Sequence, residues 1–294
     1  MAEREKERKL PEISVLMPFY DDGSEDARRH FIEALDGILS QTWQDFEIVL
    51  VYSGHDEFVQ KQAKRSGKIR LVHFEQKLYS GTLPLPEKIY GLVTSRNMCI
   101  ENAQGKFIAY ADCDDISLPQ RLEVQHAFLA SHPGIGVVGS AMLLIDAEGR
   151  QVGQRQAVED DAQIRRRMLQ FNPVPQPTVM TYLSLVKQAG AYKPGELSED
   201  FNLWVRLAKI TKFHNLQERL IKYRVHPGGG ASKYKLPVYF ASMRTKLFAA
   251  KTLGLLPGPT DIAVNLAQFA SLFFPESMRR TVLERARAKV VLKK

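Results

Sequence analysis

Three aspartates fall within four residues of one another: Asp112, Asp114 and Asp115. They directly follow the apolar run Phe107–Tyr110, which predicts a buried strand. Carboxylates this close repel one another, and a divalent cation is the simplest compensation. Hard oxygen ligands suit Mg²⁺ or Mn²⁺, which bind through one or two carboxylates together with substrate phosphates and water. The alternative is an acidic turn before the helix predicted beyond Pro119, because carboxylates stabilise helix starts.

Short apolar runs alternate with segments of helical periodicity ahead of this cluster. The spacing predicts strands at 13–18, 46–52, 69–74 and 106–111, and helices at 27–40, 57–66 and 87–103. Strands that alternate with helices indicate a parallel sheet with right-handed crossovers. Ligands of such sheets bind beyond the carboxyl ends of the strands, and the acidic cluster lies at one of these ends.

The second half of the chain has a less regular pattern. It predicts helices up to Ala130, at 162–169 and at 200–210, strands at 136–145 and 220–225, and a Pro-rich stretch at 173–177. Gly228-Gly229-Gly230 marks a flexible junction. We therefore divide the chain into a charged leader (1–12), one main α/β domain (13–230) and a basic, partly amphipathic helical tail (231–294).

The formal net charge of +8 is unevenly distributed. Residues 231–294 contain twelve Lys and Arg against three Asp and Glu, a charge of +9. The preceding 230 residues carry 29 basic and 30 acidic groups, so the body is almost neutral. This balance argues against a nucleic-acid groove in the body.

The cysteine content indicates a reducing compartment, and the lengths of the apolar runs indicate that no transmembrane helix is expected. Cys99 and Cys113 are too few for a disulfide framework and are expected to be free thiols. The longest nearly uncharged apolar run, Ile135–Ile145, has eleven residues, whereas a membrane-spanning helix needs roughly 20. The start of the chain lacks the full apolar region and the cleavage site of a secretion signal. We predict a cytoplasmic protein.

The acidic cluster and its neighbours resemble a known family. The segment Phe107-Ile-Ala-Tyr-Ala-Asp-Cys-Asp-Asp115, with Pro119 and Arg121-Leu-Glu123 behind it, is similar to the Asp-x-Asp region of the family-2 glycosyltransferases. Further segments follow in that family's order: Ser14–Tyr20, Ser40–Glu47, Ser95-Arg96-Asn97, Glu199-Asp200 with Leu203-Trp204, and Tyr223–His226. The match covers about residues 12–228. It implies the GT-A fold, a Rossmann-like α/β architecture with a mainly parallel sheet flanked by helices.

The resemblance implies separate roles within the acidic cluster. Asp112 is expected to contact the nucleotide or sugar of a nucleotide-diphosphate-sugar donor, and Asp114 to bind Mn²⁺ or Mg²⁺ at the diphosphate. Residues two apart in an extended segment point the same way, so both can face one ligand. Asp115 is expected to orient the site from behind. His226 is implied as a third metal ligand, the alternative being an exposed loop histidine, because His is softer than magnesium prefers.

The resemblance also implies a catalytic acidic pair, Glu199-Asp200. In the family the aspartate takes the proton of the acceptor hydroxyl as it attacks the anomeric carbon, so we assign Asp200 as general base. Direct displacement of this kind inverts the anomeric centre. The alternative is that Asp200 caps the helix that carries Leu203 and Trp204, a position that Asp suits. The two roles are compatible.

Other residues are expected to bind the donor. By resemblance this set adds Pro18, Tyr20 and Asp21 at the end of the first strand. Arg96 and Arg224 carry planar donor forks that suit phosphates. Each of these arginines could instead pair with a structural carboxylate.

One segment departs from the family pattern. Members of the family commonly have an acidic pair followed by Gly-Ser after the second strand, and the first acid contacts the nucleotide base. Here that segment is Val51-Tyr52-Ser53-Gly54, so base recognition is altered. The replacements we consider are stacking of the base on Tyr52 and hydrogen bonding through Asp21 or Asp22. The identity of the nucleotide therefore does not follow from the resemblance.

The basic tail shows helical periodicity. Ile262, Leu266, Phe269 and Phe273 recur at helical spacing before Pro275, and a second segment rich in Lys and Arg follows. A basic, partly amphipathic helix pair suits the surface of an anionic membrane, which would place the protein at the inner face. The alternative is a helical appendage packed on the body with a solvated basic face.

These observations predict a metal-dependent, inverting glycosyltransferase that moves a sugar to a hydroxyl of a cell-surface glycan or lipid-linked saccharide. The alternative is a non-catalytic nucleotide-sugar-binding or scaffold protein, which the replacement at Tyr52-Ser53 motivates and the retention of Asp112, Asp114 and Asp200 disfavours. A nucleotidyltransferase is disfavoured because the segment Phe19–Ser24 is acidic, not Gly-rich and basic. No nucleic-acid partner is expected.

Overall fold

A nine-stranded mixed sheet forms the centre of the molecule. The computed structural model describes residues 10–75, 87–225 and 235–274. The strands are β1 (Ile13–Asp21), β2 (Phe46–Gly54), β3 (Ile69–His73), β4 (Phe107–Tyr110), β5 (Ile116–Ser117), β6 (Ile135–Ile145), β7 (Gln151–Arg155), β8 (Met180–Tyr182) and β9 (Lys212–Arg224). Their order is β3-β2-β1-β4-β8-β6-β9-β5, and β7 pairs with β6.

The helices cover the sheet and extend beyond it. They are α1 (Glu25–Leu39), α2 (Asp56–Ala63), α3 (Glu87–Asn102), α4 (Arg121–Ser131), α5 (Asp161–Arg167), α6 (Leu183–Gln188), α7 (Glu199–Leu207), α8 (Lys235–Leu253) and α9 (Pro259–Ser271). None of the helices in the described ranges has the length and apolarity needed to cross a membrane.

The first half of the sheet is parallel, as the alternating pattern predicted. Strands β3, β2, β1 and β4 all run in the same direction. The second half is mixed, because β8 is antiparallel to both β4 and β6, while β9 is parallel to β6. The predicted α/β class with helices flanking the sheet is confirmed.

Several elements of the second half differ from the prediction. Strand β9 has thirteen residues and starts at Lys212, whereas the sequence predicted a strand only from Leu220. Its middle, Gln217–Arg219, is polar and lies where the register with β6 shifts, so no apolar run marks it. Strands β5 and β8, of two and three residues, are too short to give a periodic signal.

Apolar side chains fill both faces of the parallel strands. Val15 and Met17 of β1 belong to one buried cluster, which also contains Phe31 of α1. Leu16, which points to the other face, packs in a second cluster with Trp204 of α7. Burial on both faces explains why these strands read as continuous apolar runs. Trp204 is completely buried, so it packs in the core.

The acidic segment lies between β4 and β5, at the carboxyl edge of the parallel strands. The backbone N–H of Ala111 still donates to Leu16 of β1, and the chain then turns away from the sheet. Strand β5 pairs with β9 and so fixes the far end of the segment. Below the turn, the buried guanidinium of Arg121 donates to the carbonyl of Tyr110 and to the hydroxyl of Ser117. The acidic segment is therefore anchored at both ends.

Candidate active site

Asp115 is the most deeply buried member of the acidic cluster. Its Oδ1 accepts a hydrogen bond of 2.7 Å from the backbone N–H of Arg224. Its Oδ2 is buried and has no hydrogen-bond partner among the described residues. Burial raises the pKa of Asp115 well above its usual range, and the nearby Asp114 and Asp112 raise it further. This position behind the cluster agrees with an orienting role, and it leaves one carboxylate oxygen uncompensated.

Asp112 and Asp114 are partly buried at the open side of the same turn. Burial raises the pKa of Asp112, and the charge of Asp114 adds to this effect, while Arg96 opposes it. Within the described residues, no three His, Cys, Asp or Glu side chains form a ready metal cluster. A cation bound here would therefore need ligands from a donor phosphate, water or a residue outside the described ranges. His226, the predicted third ligand, lies outside them.

Arg96 connects the acidic cluster to the second acidic pair. Its Nη2 lies 3.4 Å from Oδ1 of Asp112, and its Nη1 lies 2.5 Å from Oε1 of Glu199. The side chain is 8% exposed. Burial lowers the pKa of Arg96, but the carboxylates of Asp112 and Glu199 outweigh burial and raise it overall. Of the two roles predicted for this arginine, pairing with a carboxylate is the one that the structure contains.

Asp200 lies in the first turn of α7 beside Glu199. Its Oδ2 accepts a hydrogen bond of 2.8 Å from Nδ2 of Asn172. Burial, followed by the charge of Glu199, raises the pKa of Asp200 to about 7, although Arg96 and the backbone N–H of Phe201 favour the charged form. A carboxyl group that titrates near neutral pH is suited to accept a proton from a substrate hydroxyl.

The predicted helix cap is displaced by two residues. The N-cap of α7 is Ser198, whose side chain makes no capping hydrogen bond, and Asp200 is already inside the helix. Asp200 therefore does not occupy the cap position that was its alternative role. Both acidic residues still lie in the first helical turn, where the helix dipole favours negative charge.

A narrow crevice lies beside Arg96 and Asp112. Its lining includes Pro18 of β1, Arg96, Asp112 and Gln176. Pro18 thus lies in the same crevice as Asp112. Tyr20, two residues further along β1, exposes 46% of its surface at the same edge of the sheet.

Asp21 has a structural environment that differs from its predicted role. Its side chain is fully buried, and both carboxylate oxygens accept hydrogen bonds from Arg28. Oδ1 also accepts from the backbone N–H of Gly23 at 2.9 Å. These bonds close the turn between β1 and α1, so they oppose the expected contact of Asp21 with a nucleotide base.

Tyr52 likewise differs from the expectation of a base-stacking residue. Its side chain belongs to the cluster between the sheet and α1 and is only 2% exposed. The ring centroid lies 5.0 Å from that of His73, and the hydroxyl donates to Asp56. A buried ring offers no face to a base, which is a correction to the sequence-based interpretation.

Arg224 takes the structural role that the sequence left as its alternative. Its side chain is 0% exposed, and Nη2 pairs with Oε2 of Glu33 at 2.5 Å. Nε donates to the carbonyl of Asp114, and Nη1 donates to the carbonyls of Asp146 and Ala147. Arg224 therefore fastens the acidic turn to α1 and to the β6–β7 turn, and its burial opposes a direct phosphate contact.

Asn172 is a site residue that sequence reasoning missed. It precedes the Pro-rich stretch 173–177 and donates a hydrogen bond to Asp200, which follows 28 residues later in the chain. No periodicity or charge pattern marks it, because a single polar residue before a proline is usual for a turn. Only the fold shows that its amide faces the proposed base.

Comparison with protein families agrees with this geometry. The model of glycosyl transferase family 2 matches residues 14–187, more than half of the chain. The chain belongs to this family. The matched range includes the crevice residues Pro18 and Arg96 and the whole acidic cluster.

Two relatives of this family-2 glycosyltransferase act in polysaccharide biosynthesis according to their names. The amylovoran biosynthesis glycosyltransferase AmsE of Erwinia amylovora is 29% identical over 213 residues, covering 72% of this chain and 76% of AmsE. The O-antigen biosynthesis glycosyltransferase WbnJ of Escherichia coli is 28% identical over 197 residues, covering 66% of this chain and 73% of WbnJ.

The fold also matches a solved structure. The S. aureus TarS 1–349 structure in complex with UDP-GlcNAc superimposes with a TM-score of 0.63 and 17% identity, covering 95% of this chain and 81% of that chain. At this identity the likeness concerns the fold. It confirms the GT-A-like architecture that the sequence predicted.

Proposed function

We propose that this family-2 glycosyltransferase transfers a sugar from a nucleoside-diphosphate sugar to a hydroxyl of a polysaccharide or lipid-linked saccharide, with inversion at the anomeric carbon. The observation that carries the proposal is the link through Arg96. This one buried cation contacts both Asp112, in the segment suited to a diphosphate, and Glu199, beside the group suited to be the base. The segment suited to the donor and the acidic pair that contains the base therefore meet at one guanidinium.

In this proposal Asp200 accepts the proton of the acceptor hydroxyl while the hydroxyl oxygen attacks the anomeric carbon. Its pKa of about 7 keeps a useful fraction ionised at neutral pH and still gives the carboxylate enough basicity to take the proton. Asn172 donates to Oδ2 and the backbone N–H of Phe201 donates to Oδ1, so both carboxylate oxygens are held in place and each keeps a lone pair that can accept from the hydroxyl. Attack from the side opposite the departing diphosphate inverts the anomeric configuration.

The acidic cluster fits a divalent cation. The buried, unpartnered Oδ2 of Asp115 and the mutual repulsion of the three carboxylates mark an excess of negative charge. Asp114 is the described residue that would hold Mn²⁺ or Mg²⁺, with Asp112 beside it in contact with the donor, and a carboxylate oxygen suits either ion. Such a cation supplies charge compensation for the departing diphosphate.

The relatives support a choice of donor and acceptor to test first. TarS is solved with UDP-GlcNAc, so UDP-sugars are the first donors to test. WbnJ and AmsE are named for O-antigen and amylovoran synthesis, so a saccharide hydroxyl is the first acceptor to test. The buried Tyr52, in place of the family's base-contacting acid, makes nucleotide preference a separate measurement.

The decisive experiment screens UDP-, GDP- and dTDP-sugars with Mn²⁺, Mg²⁺ or chelator, following donor hydrolysis and transfer to polysaccharide extracts. We expect metal-dependent turnover of one nucleotide class. The configuration of the released sugar, read by NMR before it equilibrates, should be opposite to that of the donor. Retained configuration would refute the direct displacement.

The second candidate is a non-catalytic nucleotide-sugar-binding protein, which the replacement of the family's acidic pair by Tyr52 and Ser53 favours. The same screen separates the two. Thermal stabilisation by a nucleotide sugar without hydrolysis or transfer, with every extract, would favour the binding protein. The variant Glu57→Gln, on the exposed start of α2, serves as a control that should behave as the wild type.

A further inference from the structure

Helix α9 exposes its apolar residues to solvent, which is the opposite of an ordinary surface helix. Its large apolar side chains point to solvent, with exposed fractions of 54% for Ile262, 63% for Leu266 and 38% for Phe269. Phe273, just beyond the helix, is 73% exposed. A surface helix normally places such a stripe against the core and its polar residues outside. The predicted periodicity is therefore present, but it faces away from the body.

Polar residues of α9 fix this orientation by facing the body. Asp261 is 1% exposed, and its carboxylate accepts hydrogen bonds from Arg166 and from Gln170. The amides of Asn265 and Gln268 donate to the carbonyls of Leu169 and Gln170, at 3.0 and 2.9 Å. The apolar stripe is thus held outward by a set of hydrogen bonds with the catalytic domain.

Helix α8 continues the same arrangement. Lys246, only 4% exposed, points inward and donates to the side chains of Asn265 and Gln268, at 2.7 and 2.6 Å. Leu236, Phe240 and Leu247 are 49%, 56% and 63% exposed. Polar contacts of Lys246 therefore link α8 to α9, and both helices place large apolar side chains on their outer surface.

We propose that this outer surface docks on an anionic lipid bilayer. We call it the docking face and define it by Leu236, Phe240 and Leu247 of α8 together with Ile262, Leu266, Phe269 and Phe273. Ring contacts from Phe240 through Tyr239 and Phe269 to Phe273 link the two helices. An exposed apolar surface of this kind marks an interaction site, and helices that lie in a membrane interface bury such a face among the lipid headgroups.

Charge selects lipid over a second copy of the chain. The exposed charged residues of α8 are Arg244 and Lys251, and Asp261, the acidic residue of α9, is buried. Two copies meeting through this face would bring these cations together, which is unfavourable. An anionic membrane surface attracts the same cations and accepts the apolar side chains.

Docking would also position the active site. Helix α8 packs against α7, the helix whose first turn carries Asp200. A molecule held by its docking face therefore holds the proposed base at a fixed height above the lipid, as transfer to a lipid-linked acceptor requires. This consequence rests on the proposed function, whereas the docking itself does not.

The test compares two matched double variants of the full chain. Leu266→Ser/Phe273→Ser removes two side chains of the docking face, and Val152→Ser/Ile210→Ser removes two exposed apolar side chains of the body. Flotation is measured with phosphatidylcholine vesicles, with and without about a third phosphatidylglycerol. We expect the wild type and the body variant to bind the anionic vesicles equally, and the docking-face variant to bind at least tenfold more weakly.

Three results would overturn the proposal. The wild type could fail to bind either vesicle, or the docking-face variant could bind as well as the wild type, as expected if residues 275–294 cover this face. Alternatively, sedimentation could show a dimer that only Leu266→Ser/Phe273→Ser dissolves, which would make the face a contact between copies. Donor hydrolysis by the docking-face variant should equal that of the wild type, so a failed docking test is distinguishable from a failed glycosyltransferase assignment.

Discussion

Substitution of Asp200 by Asn removes a carboxyl group whose pKa is raised from 3.8 to about 7, while it preserves the size of the side chain. Because the native state binds this proton more tightly than the unfolded chain does, the wild type must lose stability as the pH rises between these two values. The Asn variant has no such proton to release. Its stability relative to the wild type should therefore increase with pH across the same window.

The size of the change in stability follows from the pKa shift of Asp200. Each pH unit within the window costs about 1.4 kcal/mol of native stability, and the loss levels off as the pH reaches 7, so the change between pH 5 and pH 7 is about 2 kcal/mol. Glu199 and Arg96 act on Asp200 in opposite directions, and both remain in the variant. The difference between the two proteins thus isolates the carboxyl group.

The assay is urea unfolding of wild type and Asp200→Asn at pH 5, 6 and 7. Fluorescence is a suitable probe because Trp204, in the same helix as Asp200, is fully buried. The exposed substitution Glu57→Gln is the control and should leave the pH dependence as in the wild type. A constant free-energy difference between wild type and Asp200→Asn at all three pH values would refute the raised pKa.

The same variant tests the chemistry without relying on stability. Donor binding should survive, whereas transfer should fall by roughly 10² to 10⁴-fold, the usual contribution of a positioned base. For the wild type, kcat/KM should decline below about pH 7 as Asp200 takes up its proton. Transfer that persists in Asp200→Asn would remove the residue from its assigned role.

Four further substitutions test the surroundings of the site. Asp114→Asn should weaken Mn²⁺-dependent donor binding in calorimetry, because it removes a proposed ligand; unchanged metal dependence would contradict this. Arg96→Met should cost about 3 to 5 kcal/mol in urea unfolding, because it leaves buried carboxylates uncompensated; a loss below about 1 kcal/mol would show that the pair is solvated. Arg224→Met should cost about 3 kcal/mol or more, because the carbonyls of Asp114, Asp146 and Ala147 lose their buried donor. Glu33→Gln should cost about 1 kcal/mol or less, because Glu33 is 37% exposed and the amide oxygen of Gln still accepts from Arg224; equal losses for these two variants would contradict the role of the carbonyl hydrogen bonds.

The parallel half of the fold was predictable because its strands are buried on both faces. Such strands appear as unbroken apolar runs, and the site then follows from their shared carboxyl edge. Strand β9 was only partly predictable. Its polar middle, Gln217–Arg219, lies at a register shift and gives no apolar signal in the sequence. Pairing with β6 keeps the flanking residues in the strand.

The C-terminal tail shows what helical periodicity in the sequence can predict and what it cannot. The spacing of Ile262, Leu266 and Phe269 predicts a helix with an apolar stripe, and α9 contains it. Which way the stripe faces depends on hydrogen bonds to Leu169 and Gln170, about a hundred residues earlier. Sequence spacing contains no information about partners at that separation.

The sequence by itself determined the acidic cluster, its place after a buried strand and the family-2 glycosyltransferase character of the chain. Only the tertiary structure decided the pKa values of the site residues and whether their side chains are exposed or held by other residues. Arg96 meets Glu199 across 103 positions, and Asn172 meets Asp200 across 28. A pKa or an exposed ring depends on burial and on charges brought from distant segments, so Asp200, Tyr52 and Arg224 acquire their properties only when the chain is folded.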